Sequence, residues 1–544
     1  MFYNLKNQLP MDARAPLQPI LIDRLKTISQ RRCRSPMSNQ LASAFYMSTY
    51  SGASRSQGYC RYRECCNARL HRRRPAAELC RDRVARACVL KQPLVISAEM
   101  PHHFFSPAAM SQKKINVRES LRSSFKDGIF AAVMAGITDQ YVTPLALFLG
   151  ATVQQVGLIT ALPNLLSSLS QLLAVRVIHW VGGRLKLLMR LVFSQASLIL
   201  FIAILPWIET SWRVELLSIL LILTATCGGL AGPAWGSLIT EYIPSSKRGR
   251  YFGWRNRTVG AVTLGSIIAS GLILYSFREI SYSAGFCALF CLAALARFTS
   301  GYFIKQMDEP PHRRDPASDF TFVMFVARFR ESNFLKFVLF SASLTFATYL
   351  SAPFFAVFML RDLQFSYLTY MGLQVCSSFA SLVALPLWGR HADLVGNVGV
   401  LRLSSFLAAL IPVLWLFSHD PAYLMLVQIW SGFAWSGVTL SAANFIYDAV
   451  TPQKRVRCIA YFNVINGVAL FLGSFLGGFL ASRIPPLFGY SLLSLFAFSC
   501  ACRLFFYLLL SRSFHEVRPA REASIHELFF SVVGVRPLVG RSQD

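Results

Sequence analysis

A carboxylate in the middle of an apolar run is the residue most in need of a chemical reason. Asp139 stands in GIFAAVMAGITDQYVTPLALFLG, about eleven residues past Gly128, with Thr138 and Gln140 beside it. A run of about 20 apolar residues spans a hydrocarbon core as a helix, which puts Asp139 near the midplane. A carboxylate there is costly and faces a cavity or a partner. In such surroundings it can exchange a proton or hold a substrate group. A structural hydrogen bond is the plainer reading of the same residue.

A second constellation pairs acids with arginines. EYIPSSKRGRYFGWRNRTVG, residues 241–260, joins two apolar runs and reappears, altered, as DAVTPQKRVRCIAYFNVING, residues 448–467. The alignment sets Glu241 on Asp448, Arg248 on Arg455, Arg250 on Arg457, Asn256 on Asn463, Gly260 on Gly467 and Gly271 on Gly478. Opposite charges this close can pair across a turn, or stand solvated at an interface.

The elements that position these residues follow from composition. The 544 residues are 54% hydrophobic and 15% charged, with mean hydropathy +0.45. A soluble chain carries about 25% charged residues, so this one lacks the charge to cover an aqueous surface. It reads as an all-α polytopic membrane protein. The net charge of +28 sits largely in the first 110 residues and in alternate loops. It therefore reads as topology and a basic tail rather than nucleic-acid binding. The 13 cysteines show no CxxC pair and no zinc spacing, so neither a metal nor another cofactor is expected.

Residues 1–110 are Arg- and Ser-rich, with no spanning run and no signal-peptide layout. They are expected to be a disordered basic extension, with Met110 a candidate translation start. Spans are read near 128–149, 154–175, 185–206, 214–240, 256–277 and 281–304. After a polar linker, 306–335, six more follow near 336–358, 367–388, 398–418, 421–447, 459–481 and 487–510. The two sets form domains 111–305 and 336–512, and the tail 513–544 holds one amphipathic piece near Ile525–Val533. Lys and Arg crowd alternate loops, which places both termini and the linker in the cytoplasm.

The repeat extends beyond the basic turns. Pro144 matches Pro353, Arg297 matches Arg503, and Asp139 falls on Thr348, with offsets of 206 to 209. An even number of spans in each half makes them parallel repeats about an axis along the membrane normal. Arg297 and Arg503 are read as snorkelling to the interface or pairing structurally.

Two six-helix halves with basic cytoplasmic turns resemble the major facilitator superfamily. Its turn motif, Gly-x-x-x-Asp-x-x-Gly followed by a basic residue, is carried by GRHADLVGN as Gly389, Arg390, Asp393 and Gly396, with Asn397 where a basic residue is usual. In the first half, VRVIHWVGGR keeps Gly182 and Arg184 but has Val175 and His179 at the Gly and Asp positions. GGLAGPAWG in span 4 has the look of an antiporter motif, but that motif belongs on the fifth helix.

The resemblance implies twelve transmembrane helices in two bundles that rock about a central site. It also implies that the first, second, fourth and fifth helices of each half line the cavity. Candidate substrate or coupling residues are then Asp139, Gln140, Asn164, Trp235, Tyr349 and Gln374, with hydrogen bonding between helices as the plainer role of each. Gln195 falls on the peripheral third helix. Candidate cytoplasmic gate residues are Glu241, Arg248, Arg250, Arg390, Asp393, Asp448, Arg455 and Arg457. No nucleotide-binding or hydrolase motif stands out, so an enzyme is not expected and an ion or substrate gradient must supply the energy. The expected function is a proton-coupled secondary transporter of a small molecule, a monomeric permease in a cytoplasmic or plasma membrane. A transporter-like sensor or scaffold is the alternative.

Overall fold

The computed structural model describes residues 116–310, 332–518 and 525–532. The basic extension 1–110, Met110, and residues 311–331 of the linker lie outside the described residues. Regular structure among the described residues is helical. The first half comprises α1 Val117–Phe148, α2 Val153–Val181, α3 Arg184–Ile204, α4 Arg213–Tyr242, α5 Ser245–Ser276 and α6 Tyr282–Lys305. The second comprises α7 Asn333–Tyr349, α8 Tyr367–Leu414, α9 Pro421–Ala449, α10 Pro452–Ala481 and α11 Ser491–Leu510, followed by a short α12 Ile525–Val532.

Local chemistry sets the ends. Thr152 and Gln155 form a capping box at the start of α2, and Asp420 accepts from two backbone N–H groups ahead of Pro421 in α9. Ten helices are long and apolar enough to cross a membrane. One of them, α8, is two helices broken at Gly396, and its two limbs make separate crossings of a core about 30 Å thick. The 32-residue α1 is not among the ten, its apolar stretch being interrupted by Asp139 and Gln140. With α1 and both limbs of α8, the bundle has twelve spans.

Three boundaries differ from the sequence reading. The expected span 8 runs on through GRHADLV to Val395, and the chain breaks from it into span 9 at Gly396. Only Gly396 leaves helical geometry, at φ 84°, a conformation that costs glycine little. The expected span 7 is interrupted. α7 ends at Tyr349, Pro353 precedes a four-residue turn Phe354–Val357, and a wider π turn closes Phe358–Asp362. Finally, α5 begins at Ser245, because nothing after Pro244 in SSKRGRY breaks a helix.

Within the first half α6 packs on α1 and α3, and α4 on α2 and α3; in the second half α7 packs on α10 and α11, and α9 on α8. The halves meet along two seams, α2 with α10 and α5 with α8. The glycines that repeat in the sequence lie on these seams. A Cβ on Gly260 would stand 2.7 Å from Leu382 of α8, and one on Gly467 would overlap Ser168 of α2. Gly271 faces Met371, and Gly478 lies against Gly157. Glycine lets each pair of helices approach at backbone distance. The glycine-rich segment of α4 closes a different contact: a Cβ on Gly229 would overlap Ser167 of α2.

Candidate functional site

The two seams enclose a cavity of about 360 Å³ between the halves. Asp139 and Gln140 of α1 line it, with Tyr349 of α7 and Gln374 of α8. Asp139 is an exposed residue of α1 within the bundle, so its carboxylate opens on the cavity. Proline at position 353 helps shape the opposite wall: the interrupted α7 presents Tyr349, Phe355 and Met359 to the same space. Tyr370 closes one side, donating its hydroxyl to the Gln140 carbonyl across the halves at 2.9 Å.

Asn164 and Trp235 stand apart from these four. Asn164 donates to the Thr160 carbonyl of its own helix at 2.9 Å. Trp235 lies within the first bundle, with the Arg255 guanidinium 4.5 Å over its ring. The reading from sequence did not single out Gln428, Ser431 and Trp435 of α9, or Trp415 at the end of α8, which line the cavity. The polar residues of α9 in a span that is otherwise apolar, VQIWSGFAWSG, were the available signal.

The two repeat-related arginines are buried rather than snorkelling, and Arg503 borders the cavity. Arg297 is 9% exposed and Arg503 2%. Arg297 donates to Gln195 Oε1 at 2.7 Å and to Ser300 Oγ at 3.1 Å, and Ser300 donates to Asp127 at 2.7 Å. Gln195 is thereby a partner of this network and also donates to the Thr224 carbonyl. Asp127, a second intramembrane acid, was missed because it follows Lys126 and reads as part of a polar lead-in.

The Lys/Arg-rich end of the bundle carries two related clasps. Arg184 forks onto Glu241 at 2.7 and 2.8 Å and reaches Glu309 at 3.3 Å. Glu309 also accepts from the backbone N–H groups of Arg184 and Leu185 at 2.8 and 3.2 Å, so a carboxylate caps the start of α3. In the second half Asn397 donates to Asp448 at 2.8 Å, and Arg518 from the tail pairs with Asp448 at 2.5 Å. Glu516 accepts from the Val398 N–H at 2.8 Å, the counterpart of the Glu309 cap. The basic residue absent after Gly396 is thus replaced by Arg518. Arg455 lies over Tyr447 and donates to its carbonyl at 3.0 Å; Arg457 is half-buried, and Arg390 and Asp393 are exposed. The side chains of Arg248 and Arg250 lie outside the described residues.

Contacts between halves concentrate at the end opposite these clasps. There, Gly157 and Gly478 bring α2 and α10 together, Gln154 donates to Ser482 at 2.9 Å, and Phe286 meets Tyr367 edge-on at 5.6 Å. Toward the basic end Asn463 donates to Gln171 at 2.8 Å. Beyond that point α2 exposes Leu172, Leu173, Val175 and Trp180, the last at 87%. Among the described residues the contacts between halves run from the non-basic end to the middle of the seams.

The comparisons with known proteins agree with this architecture. The sequence matches the Major Facilitator Superfamily over residues 127–351 and 337–541. An uncharacterized transporter of Buchnera aphidicola is 23% identical over 144 residues, 26% of this chain and 35% of that protein. The multi-drug resistance efflux pump PmrA of Streptococcus pneumoniae is 26% identical over 259 residues, 47% of this chain and 62% of the pump. The chain thus spans less than two thirds of either curated relative. Among solved structures, a mutant of the nucleoside transporter NupG superposes with TM-score 0.57 at 14% identity, covering 72% of this chain and all of that one. Two halves of six spans meeting along paired glycine seams, with a sequence match across both halves, place the chain in the Major Facilitator Superfamily.

Proposed function

We propose that the chain is a secondary active transporter that moves a small molecule by alternating access, with Asp139 as its proton-coupling carboxyl. One observation carries the reading: the cavity bearing Asp139 lies between two halves whose described contacts gather toward the non-basic end. Rocking about the α2–α10 and α5–α8 seams would exchange the closed end for the open one. The Lys/Arg excess supports a cytoplasmic side for the basic end, and on this reading the described conformation is inward-facing. In the opposite conformation the basic ends must approach. The Arg184–Glu241–Glu309 and Arg518–Asp448–Asn397 clasps then act as rigid corners of the inner gate, with Arg248, Arg250, Arg390, Asp393, Arg455 and Arg457 closing over them.

Asp139 suits coupling because no ion pair to a basic side chain fixes its charge among the described residues. The titratable groups that share its cavity are Tyr349, Tyr370 and Arg503. A proton on Asp139 removes a charge from the cavity before it crosses the low-dielectric centre, where an isolated charge is costly.

Proteoliposomes loaded with a pH-sensitive dye test this. They are challenged with nucleosides, monocarboxylates and quaternary ammonium dyes. At least one class drives proton movement in wild type, and Asp139→Asn exchanges the same solute without moving protons. Proton movement retained in Asp139→Asn removes this residue from the mechanism. If no solute of any class crosses, a sensor or scaffold role replaces transport.

A further inference from the structure

The repeat gives its two arginines equal burial and unequal company. Arg297 reaches Asp127 through Ser300, so a carboxylate closes its network. Arg503 donates Nη1 to the Ala408 carbonyl at 3.0 Å and Nη2 to the Thr348 carbonyl at 3.2 Å and Ser351 Oγ at 3.0 Å. Every one of these acceptors is neutral, and Arg503 Nε has no partner. The offset that sets Asp139 on Thr348 sets Asp127 on Lys336, so the second half has a cation where the first has the answering acid. A buried arginine without a carboxylate is expensive, since carbonyl dipoles offset only part of the lost hydration.

Arg503 also lines the central cavity, and Asp139 lines it too. Neither is in an ion pair among the described residues. Beside its polar residues the same cavity has apolar surface from Phe355, Met359, Ile411 and Trp415.

We propose that Arg503 is the recognition cation for the anionic group of the transported molecule, and that the cargo is a small monocarboxylate with an aliphatic or aromatic body. This rests on the reading of Asp139 as the coupling acid. The charges then balance. With Asp139 ionised the empty cavity is neutral in sum, because Arg503 offsets it. An entering monoanion adds one negative charge, and one proton taken up on Asp139 removes it. The loaded cavity that rocks across the bilayer is again neutral. The buried Nε–H has no acceptor among the described residues, and a carboxylate that draws the guanidinium toward the cavity would supply one in a charge-assisted bond. A volume of about 360 Å³ falls at the small end of ligand sites.

The test is binding, which does not depend on flux. The full-length protein in detergent is titrated with benzoate, phenylacetate, hexanoate and lactate, each against its own amide, following the apparent melting temperature. Acids raise it and the matched amides do not. Arg503→Gln weakens the preferred acid about 10- to 100-fold, the loss of a hydrogen-bonded charge, while Arg503→Lys retains part of the acid preference. Should Arg503→Gln not fold, Asp139→Asn supplies a second arm. Between about pH 6 and 8 these acids stay ionised, wild type binds them more tightly as pH falls, and Asp139→Asn binds them equally throughout. Amides that stabilise as well as acids, no shift with any acid, or an acid preference that survives in Arg503→Gln overturns the assignment of Arg503. An acid preference that is kept while Asp139→Asn retains the pH dependence supports Arg503 and overturns only the coupling role of Asp139.

Discussion

Substituting Gly157 by alanine separates the alternating-access reading from a static bundle. The added Cβ would lie 2.8 Å from the Ser474 carbonyl oxygen and 3.5 Å from the Gly478 Cα. The obstructing atoms are helix backbone, which cannot swing aside as a side chain does. Relief requires α2 and α10 to part by several tenths of an ångström. Inserting a methyl group into a packed contact costs about 1–3 kcal/mol. On the alternating-access reading this contact exists where the halves are closed and is absent where that end opens. The cost therefore falls on the inward-facing state alone and shifts the ratio of states about 5- to 150-fold toward the outward-facing one. The control is Gly229→Ala. Its Cβ would overlap the Ser167 carbonyl oxygen, a contact between α4 and α2 inside one half that both states keep. Distance distributions between spin labels on the non-basic ends of α2 and α10 read the outcome. Gly157→Ala adds a population at longer distance, and Gly229→Ala lowers the melting temperature without moving the distribution. Identical distributions in wild type and Gly157→Ala, or the same shift in both variants, would refute the argument.

Two further substitutions probe charge. Asp127→Asn takes the only carboxylate from the Ser300–Arg297–Gln195 network and leaves a buried guanidinium facing neutral groups, at a cost of about 2–4 kcal/mol. Asp139→Asn breaks no ion pair, so thermal unfolding in detergent finds it near wild type and Asp127→Asn well below. In the second-half clasp, Arg518→Ala leaves Asp448 with Asn397 alone and costs about 1 kcal/mol, because Arg518 is half exposed. Asn397→Arg in that background restores the lost melting temperature, by analogy with Arg184 on Glu241.

The fold was legible because its signals are long-range in sequence and simple in physics. Apolar runs of span length, an offset of 206 to 209 residues, and Lys/Arg in alternate loops each point to two six-span halves. The repeated glycines were visible as a pattern, but their purpose was not. Only the structure shows that Gly260, Gly467, Gly271 and Gly478 all lie where one half touches the other. The site was legible in part. Asp139 announced itself by its cost in an apolar helix, whereas Asn164 lies one turn from the lining at Thr160, and Trp235 lies within the first bundle. A helix presents a new face every residue, and sequence gives no rotation for a span that is apolar all round. Arg518 was out of reach for another reason: it meets Asp448 from 70 residues away, through a tail whose path no local pattern sets.

What the two halves share and what they do not divide the work of the protein. The shared features are mechanical. Seam glycines repeat, Glu309 and Glu516 each cap the first backbone N–H groups after Gly183 and Gly396, and Glu241 and Asp448 each take an arginine at the basic end. Such parts must match if two halves are to rock symmetrically about one axis. The unshared features are charged and lie at or beside the cavity. Asp139 stands opposite Thr348 in the repeat, and Arg297 has Asp127 where Arg503 has Lys336 in register. A pseudo-symmetric frame offers identical walls to an asymmetric molecule, so recognition and coupling have to come from positions where the repeat has diverged. By that argument the proposed chemistry falls on Asp139, whose repeat mate is Thr348, and on Arg503, which unlike its mate Arg297 has no answering acid in register. A variant that made the halves more alike there, Thr348→Asp, should bring a carboxylate to the α7 wall beside Arg503. It would neutralise that cation from within and abolish anion binding, while leaving the seams and the fold intact.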